Sequence, residues 1–117
     1  MKLFSTRTHG VIDYLTSAKL LALPRVLGWS ENVTRVVTGA AVGTLAYSLL
    51  TRYEFGAVKV LPVKGHLALD ALNGALMCSA PLLFPDEDKS VKGALVAVGL
   101  FEIFMALTTE TESTVTE

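Results

Sequence analysis

RTHGVIDYLTSAKLLALP, residues 7–24, returns as KGHLALDALNGALMCSAP, residues 64–81. An offset of 57 positions carries His9 onto His66, Asp13 onto Asp70, Leu15 onto Leu72, Ala18 onto Ala75 and Pro24 onto Pro81. The same ungapped offset sets Arg35 on Lys92, Ala40 on Ala97, Leu50 on Leu107 and Thr51 on Thr108. The matches include the rarer His and Pro as well as Leu and Ala, so the pattern reads as an internal duplication. A repeat of this kind governs the fold assignment. The first copy is assigned to residues 1–60, the second to 61–109, and an acidic, Thr-rich disordered tail to 110–117.

Each copy reads as two helices. Helix 1 is expected over about Thr8–Leu23, stopped by Pro24. Gly28 and Asn32 mark the turn that follows, and helix 2 is expected over about Val33–Tyr53. Helix 3 opens near Pro62, where the first turn tolerates proline, and extends to about Phe84. Helix 4 is expected over Ser90–Thr109. No segment alternates polar and apolar residues long enough to suggest a strand. The expected class is all-α, a four-helix bundle.

Composition points to where that bundle sits. The chain has 117 residues, enough for one domain. Charged residues make up 18% of it, below the quarter or so common in soluble chains, and the mean hydropathy is +0.51. The charges are also bunched: 16 uncharged residues separate Arg35 from Arg52, and 15 separate Asp70 from Asp86. Gaps of this length suit a bilayer or a wholly buried helix. The expectation is a multi-pass protein of the cell membrane, with the lipid bilayer as its partner. Helix pairs return the chain to its starting side, so the two repeats lie parallel, related by a pseudo-two-fold along the membrane normal.

The helices are at or just below the span of the hydrocarbon core, and Lys19 can snorkel to the interface. Small residues in helix 2 (Gly39, Ala40, Gly43, Ala46) and helix 4 (Gly93, Ala94, Ala97) favour close helix approach. A slight excess of Lys and Arg on the side of the termini leans toward cytoplasmic termini. A soluble bundle is the competing reading. The N-terminal run holds Asp13 and Lys19, and no A-x-A-like site follows it, so it is not read as a signal peptide.

The stretch Ala22-Leu23-Pro24-Arg25-Val26-Leu27-Gly28-Trp29, with Ser79-Ala80-Pro81-Leu82 in the second copy, resembles the helix end of the SPW-repeat family. Members of that family are small bacterial and archaeal membrane proteins with one or two copies of a helix pair. The Ser-Pro-Trp tripeptide itself stands in neither copy. The resemblance implies fold and location, and no activity.

Ionisable side chains inside a membrane segment are costly and mark a candidate site. His66, Asp70 and Asn73 stand at i, i+4 and i+7 on one helix face, continued by Met77. His9 and Asp13, with Thr16 and Leu20, form the same face in the first copy. The i, i+4 spacing lets each carboxylate reach the imidazole one turn away. Glu102 and Tyr47 fall in the same half of the bundle.

Three roles are open for this cluster. Each His–Asp pair can be a structural pin between helices. His9 and His66, with Asp13 and Asp70, can hold a divalent metal or a haem. The cluster can also relay protons or ions, or bind a small solute, at the repeat interface. No H-E-x-x-H, G-x-S-x-G or P-loop pattern occurs, so no enzyme is expected. A net charge of −1 and the lack of a basic aromatic patch argue against nucleic acid. Association of two copies fits a small membrane bundle. Cys78 reads as a small buried hydrophobe, and Asp86-Glu87-Asp88 as a solvated turn before helix 4.

Overall fold

A computed structural model describes residues 2–111, and all four helices lie within them: α1 (Thr6–Val26), α2 (Glu31–Leu49), α3 (Val63–Leu83) and α4 (Lys89–Thr108). Among the described residues there is no β-strand, only isolated bridges at Phe4–Thr109 and Thr51–Leu61. Most of the expected tail, residues 112–117, lies outside the described residues. Glu110 is tied down, its N–H donating to the Phe4 carbonyl at 2.9 Å.

Pro24 does not end its helix where the sequence reading placed the stop; it lies inside the last turn of α1, as Pro81 lies inside the last turn of α3, which runs close to its expected end at Phe84. A proline there gives up one bond, to the carbonyl four residues back. The stop of α1 comes instead from Gly28, whose φ of 68° suits glycine. That geometry lets the Trp29 N–H reach back to the Pro24 carbonyl at 2.9 Å, the helix-closing bond of a Schellman motif. Helix α2 starts earlier than expected because Ser30 caps it, its hydroxyl accepting from the Val33 N–H. It ends at Leu49, short of the expected Tyr53. The chain then folds back on itself, and the Leu50 carbonyl accepts from the Val60 and Leu61 N–H groups.

α1 packs on α2 and α3 on α4 as two hairpins, and the hairpins meet more sparsely, chiefly through α2 and α3. His9 and His66 adjoin, so α1 and α3 start at the same end of the bundle. At the other end, near the two hairpin loops, Leu20, Val37, Ala41, Met77, Ala80 and Leu95 belong to an apolar core.

The two hairpins repeat in detail. α3 starts and ends 57 residues after α1. Buried Thr6, His9, Gly10, Asp13, Ser17 and Leu20 fall at that offset on buried Val63, His66, Leu67, Asp70, Gly74 and Met77. In the second helices the offset is 58. Buried Val33, Val37, Ala41, Thr44 and Ser48 fall on Val91, Leu95, Gly99, Glu102 and Ala106. The ungapped match in the second helices is therefore off by one. The physical source is the loop: residues 27–30 join the first pair and residues 84–88 the second, one residue more.

The small residues act elsewhere than expected. Side-chain carbons added at Gly39, Gly43 or Gly93 would meet nothing within 4 Å. The close helix approach is between α3 and α4. There a carbon added at Gly99 would come within 2.5 Å of the Gly74 carbonyl oxygen and 2.6 Å of the Cys78 sulfur.

Candidate functional site

The fourth residue of α1 is His9 and the fourth of α3 is His66, so the two imidazoles enter the bundle at one level. One turn on, Asp13 and Asp70 follow on the same faces. All four side chains are buried, with His9 and His66 each only 1% exposed. Each carboxylate touches both rings. His9 Nε2 lies 3.0 Å from Asp13 Oδ1, one turn away, and 2.7 Å from Asp70 Oδ2, across the hairpin boundary. His66 Nε2 lies 3.1 Å from Asp70 Oδ2 and 2.9 Å from Asp13 Oδ2. The expected i, i+4 contacts exist, and contacts of equal closeness tie one hairpin to the other.

The opposite ring nitrogens are fixed by two threonines. Thr51 Oγ1 donates to the Tyr47 carbonyl at 2.6 Å and lies 2.7 Å from His66 Nδ1. Thr109 Oγ1 donates to the Met105 carbonyl at 2.6 Å and lies 2.7 Å from His9 Nδ1. A hydroxyl has one hydrogen, and in both cases a carbonyl takes it. Each threonine must then accept, so Nδ1 carries the proton in both histidines. Nε2 is the nitrogen turned to the carboxylates. Both threonines occupy the end of a helix, where unpaired carbonyls are available, and they correspond at the 58-residue offset.

Two tyrosines donate to the carboxylates. Tyr53 donates to Asp13 Oδ2 at 2.9 Å, and Tyr47 donates to Asp70 Oδ1. Burial pushes the Tyr53 phenol well above its usual range, and the Asp13 charge pushes it further. It therefore stays a donor. The Tyr47 ring meets the His66 ring edge-on at a centroid distance of 4.8 Å.

The rest of the predicted cluster lies one turn deeper. Asn73 Nδ2 donates to Thr44 Oγ1 and to Glu102 Oε1, each at 3.2 Å. Glu102 is buried and its Oε2 has no hydrogen-bond partner. Thus His9, Asp13, His66, Asp70 and Tyr47 converge directly, and Asn73 and Glu102 form an adjoining polar layer. Sequence reasoning missed Thr51 and Thr109 as ring partners, and Tyr53 as a donor. The signal for the threonines was the Thr at the end of each second helix, obscured by the one-residue slip. Tyr53 gave no such signal, because it reaches Asp13 from the connector between the hairpins.

The geometry bears on the cofactor alternatives. The imidazole centroids are 5.2 Å apart and the rings nearly perpendicular. Asp13 and Asp70 fill the space between them, which leaves no slot for the macrocycle of a haem. A single ion is a different matter: one ligand atom from each of the four residues lies within 4.8 Å of the others.

Comparison of the chain with protein-family models, curated proteins and solved structures gives no match.

Proposed function

We propose that this chain is a small multi-pass membrane protein whose two helical hairpins cross the bilayer side by side. In this reading the His–Asp centre is the clasp between them. The observation that carries it is an inverted polarity. Leu15, Leu72, Leu76, Leu100, Phe104 and Leu107 face outward, whereas His9, Asp13, His66, Asp70 and Glu102 are buried. Water favours the reverse arrangement, and apolar surface this extensive needs lipid or a partner against it. The helices have 19 to 21 residues, which at ~1.5 Å per residue gives about 30 Å, the thickness of the hydrocarbon core.

Among the described residues only α4 is apolar enough by composition to pass as a span. For α1 and α3 part of the shortfall has a physical source compatible with lipid. In α1 and α3 the polar residues His9, Asp13, Ser17, His66 and Asp70 point inward. They lower the mean hydropathy without facing the surroundings. Lys19 is exposed and long enough to carry its charge toward an interface. The resemblance to the SPW-repeat family and the slight Lys/Arg excess favour the same reading, with the termini in the cytoplasm.

The clasp follows from the crossed contacts. Burying charge in hydrocarbon is tolerated where the partners face one another inside the bundle. Two imidazoles and two carboxylates face one another there, each ring with Nδ1–H on a threonine and Nε2 close to both carboxylates.

Cell fractionation with an alkaline wash tests the reading. The protein is expected in the membrane pellet and to leave it only with detergent. Recovery in the high-speed supernatant without detergent overturns the membrane assignment.

A further inference from the structure

We infer that His9, Asp13, His66 and Asp70 form a binding site for one divalent first-row transition-metal ion of the zinc class. This goes beyond the clasp, in which protons alone hold the four groups together, and it does not depend on a surrounding bilayer.

The first support is the donor set. Two imidazole nitrogens and two carboxylates, each from a different turn of two parallel helices, converge with their ligand atoms within 4.8 Å. Such a mixed N/O set suits zinc and its neighbours. Calcium and magnesium ask for six or more ligands, chiefly oxygens and water. The cavity beside Asp13, Asp70, Thr16, Thr44 and Glu102 measures only about 10 Å³, room for about one water. Cys78 is not part of the site, its sulfur facing the Val96 carbonyl at 3.7 Å.

The second support is the outer layer. Histidines that bind metal donate their other ring N–H to an oxygen, which fixes the tautomer and aims the lone pair at the ion. Thr51 and Thr109 provide that acceptor for His66 and His9. Tyr53 and Tyr47 donate to the carboxylates in the same supporting role.

The third support is His66 Nε2 itself. Its residue is 99% buried, and although two carboxylates lie at 2.9 and 3.1 Å, neither is placed to form a hydrogen bond with it. A four-coordinate ion with ligand distances of about 2.0–2.2 Å sets neighbouring ligand atoms about 3.3–3.6 Å apart. The His–Asp separations of 2.7–3.1 Å lie below that spacing and the ligand atoms as a set spread over 4.8 Å, so a bound ion would open the close pairs and draw in the widest one.

With a divalent ion bound, two neutral imidazoles and two carboxylates would make a centre with no net charge, which suits a buried site.

The test is titration of chelator-washed, detergent-purified protein with Co²⁺, which reports its ligand field by absorption. Saturation at one ion per chain is expected, with the visible bands of a four-coordinate N/O site. Zn²⁺ should abolish those bands. D13N and D70N keep the shape of the site and should lose the bands. T51V and T109V should each bind about 10- to 100-fold more weakly. Circular dichroism checks that each variant is folded. If D13N or D70N fails to fold, the wild-type stoichiometry and the threonine variants still decide. A folded wild-type protein that takes up no Co²⁺ overturns the proposal, as does equal uptake by folded D13N and D70N. The titration applies whichever fraction the protein is recovered from, so its outcome is separable from that of the membrane assignment.

Discussion

At the loop end of the bundle, Leu20, Val37, Met77 and Leu95 meet in a core with no ionisable group; at the end where α1 and α3 start, the same four helices meet around two histidines and two aspartates. The apolar end is held by shape. In the proposed bilayer setting, apolar contact between helices would gain little from leaving water, so close packing would do the holding. The polar end is held by pairing, because any group there that loses its partner is left as an uncompensated charge or donor. The helices are thus tolerant at one end to anything of the right volume and intolerant at the other to single changes.

The strongest way to break this contrast is D70A. It removes the carboxylate shared by His9 and His66 and the acceptor of Tyr47, and should cost about 3–5 kcal/mol. Replacing His9, Asp13, His66 and Asp70 together by leucine should cost much less, or even stabilise, because no buried charge is orphaned. Denaturation of both variants in detergent micelles measures the difference. Equal losses would show that volume, not pairing, matters at this end as well.

A smaller effect sharpens the packing side. G99A drives a carbon against the Gly74 carbonyl and the Cys78 backbone nitrogen, at 2.5 and 2.8 Å. Forced separation of α3 and α4 should cost about 1–3 kcal/mol. G39A meets open space and should be neutral or slightly stabilising, since alanine favours the helix. The difference in thermal midpoint between these two variants reads out where close approach is needed.

The smallest expected effect is at the threonines. T51V leaves His66 Nδ1–H without an acceptor and should cost about 1–2 kcal/mol. T51S keeps the hydroxyl and should recover most of that loss in the same denaturation assay. A serine variant as weak as the valine variant would assign the effect to the methyl group's packing rather than to the hydrogen bond.

Much of this plan was legible in the residues. The paired H-x3-D spacing placed each imidazole and carboxylate on one helix face, and the 57-residue offset located their counterparts. Helix ends were less legible. Pro24 suggested a stop that the Gly28 turn supplies two residues beyond the helix end, because a proline in a last turn forfeits only one bond. The glycines of α2 suggested a close contact that Gly74 and Gly99 make instead. Spacing within a helix tells which residues share a face, but which neighbour that face meets depends on the loops.

By itself, the sequence determined four helices, two related halves, and a buried-type charge pattern centred on His9, Asp13, His66 and Asp70. Local periodicity and side-chain chemistry suffice for these, since they act within a few residues. Only the tertiary structure decided that the aspartates cross between hairpins, that Thr51 and Thr109 orient the rings, and that Tyr53 returns from the connector to Asp13. Those contacts join residues 15 to 100 positions apart. The extra residue in the second loop sets the register within the second hairpin and the fold-back after α2 carries Tyr53 to Asp13, which no local pattern encodes.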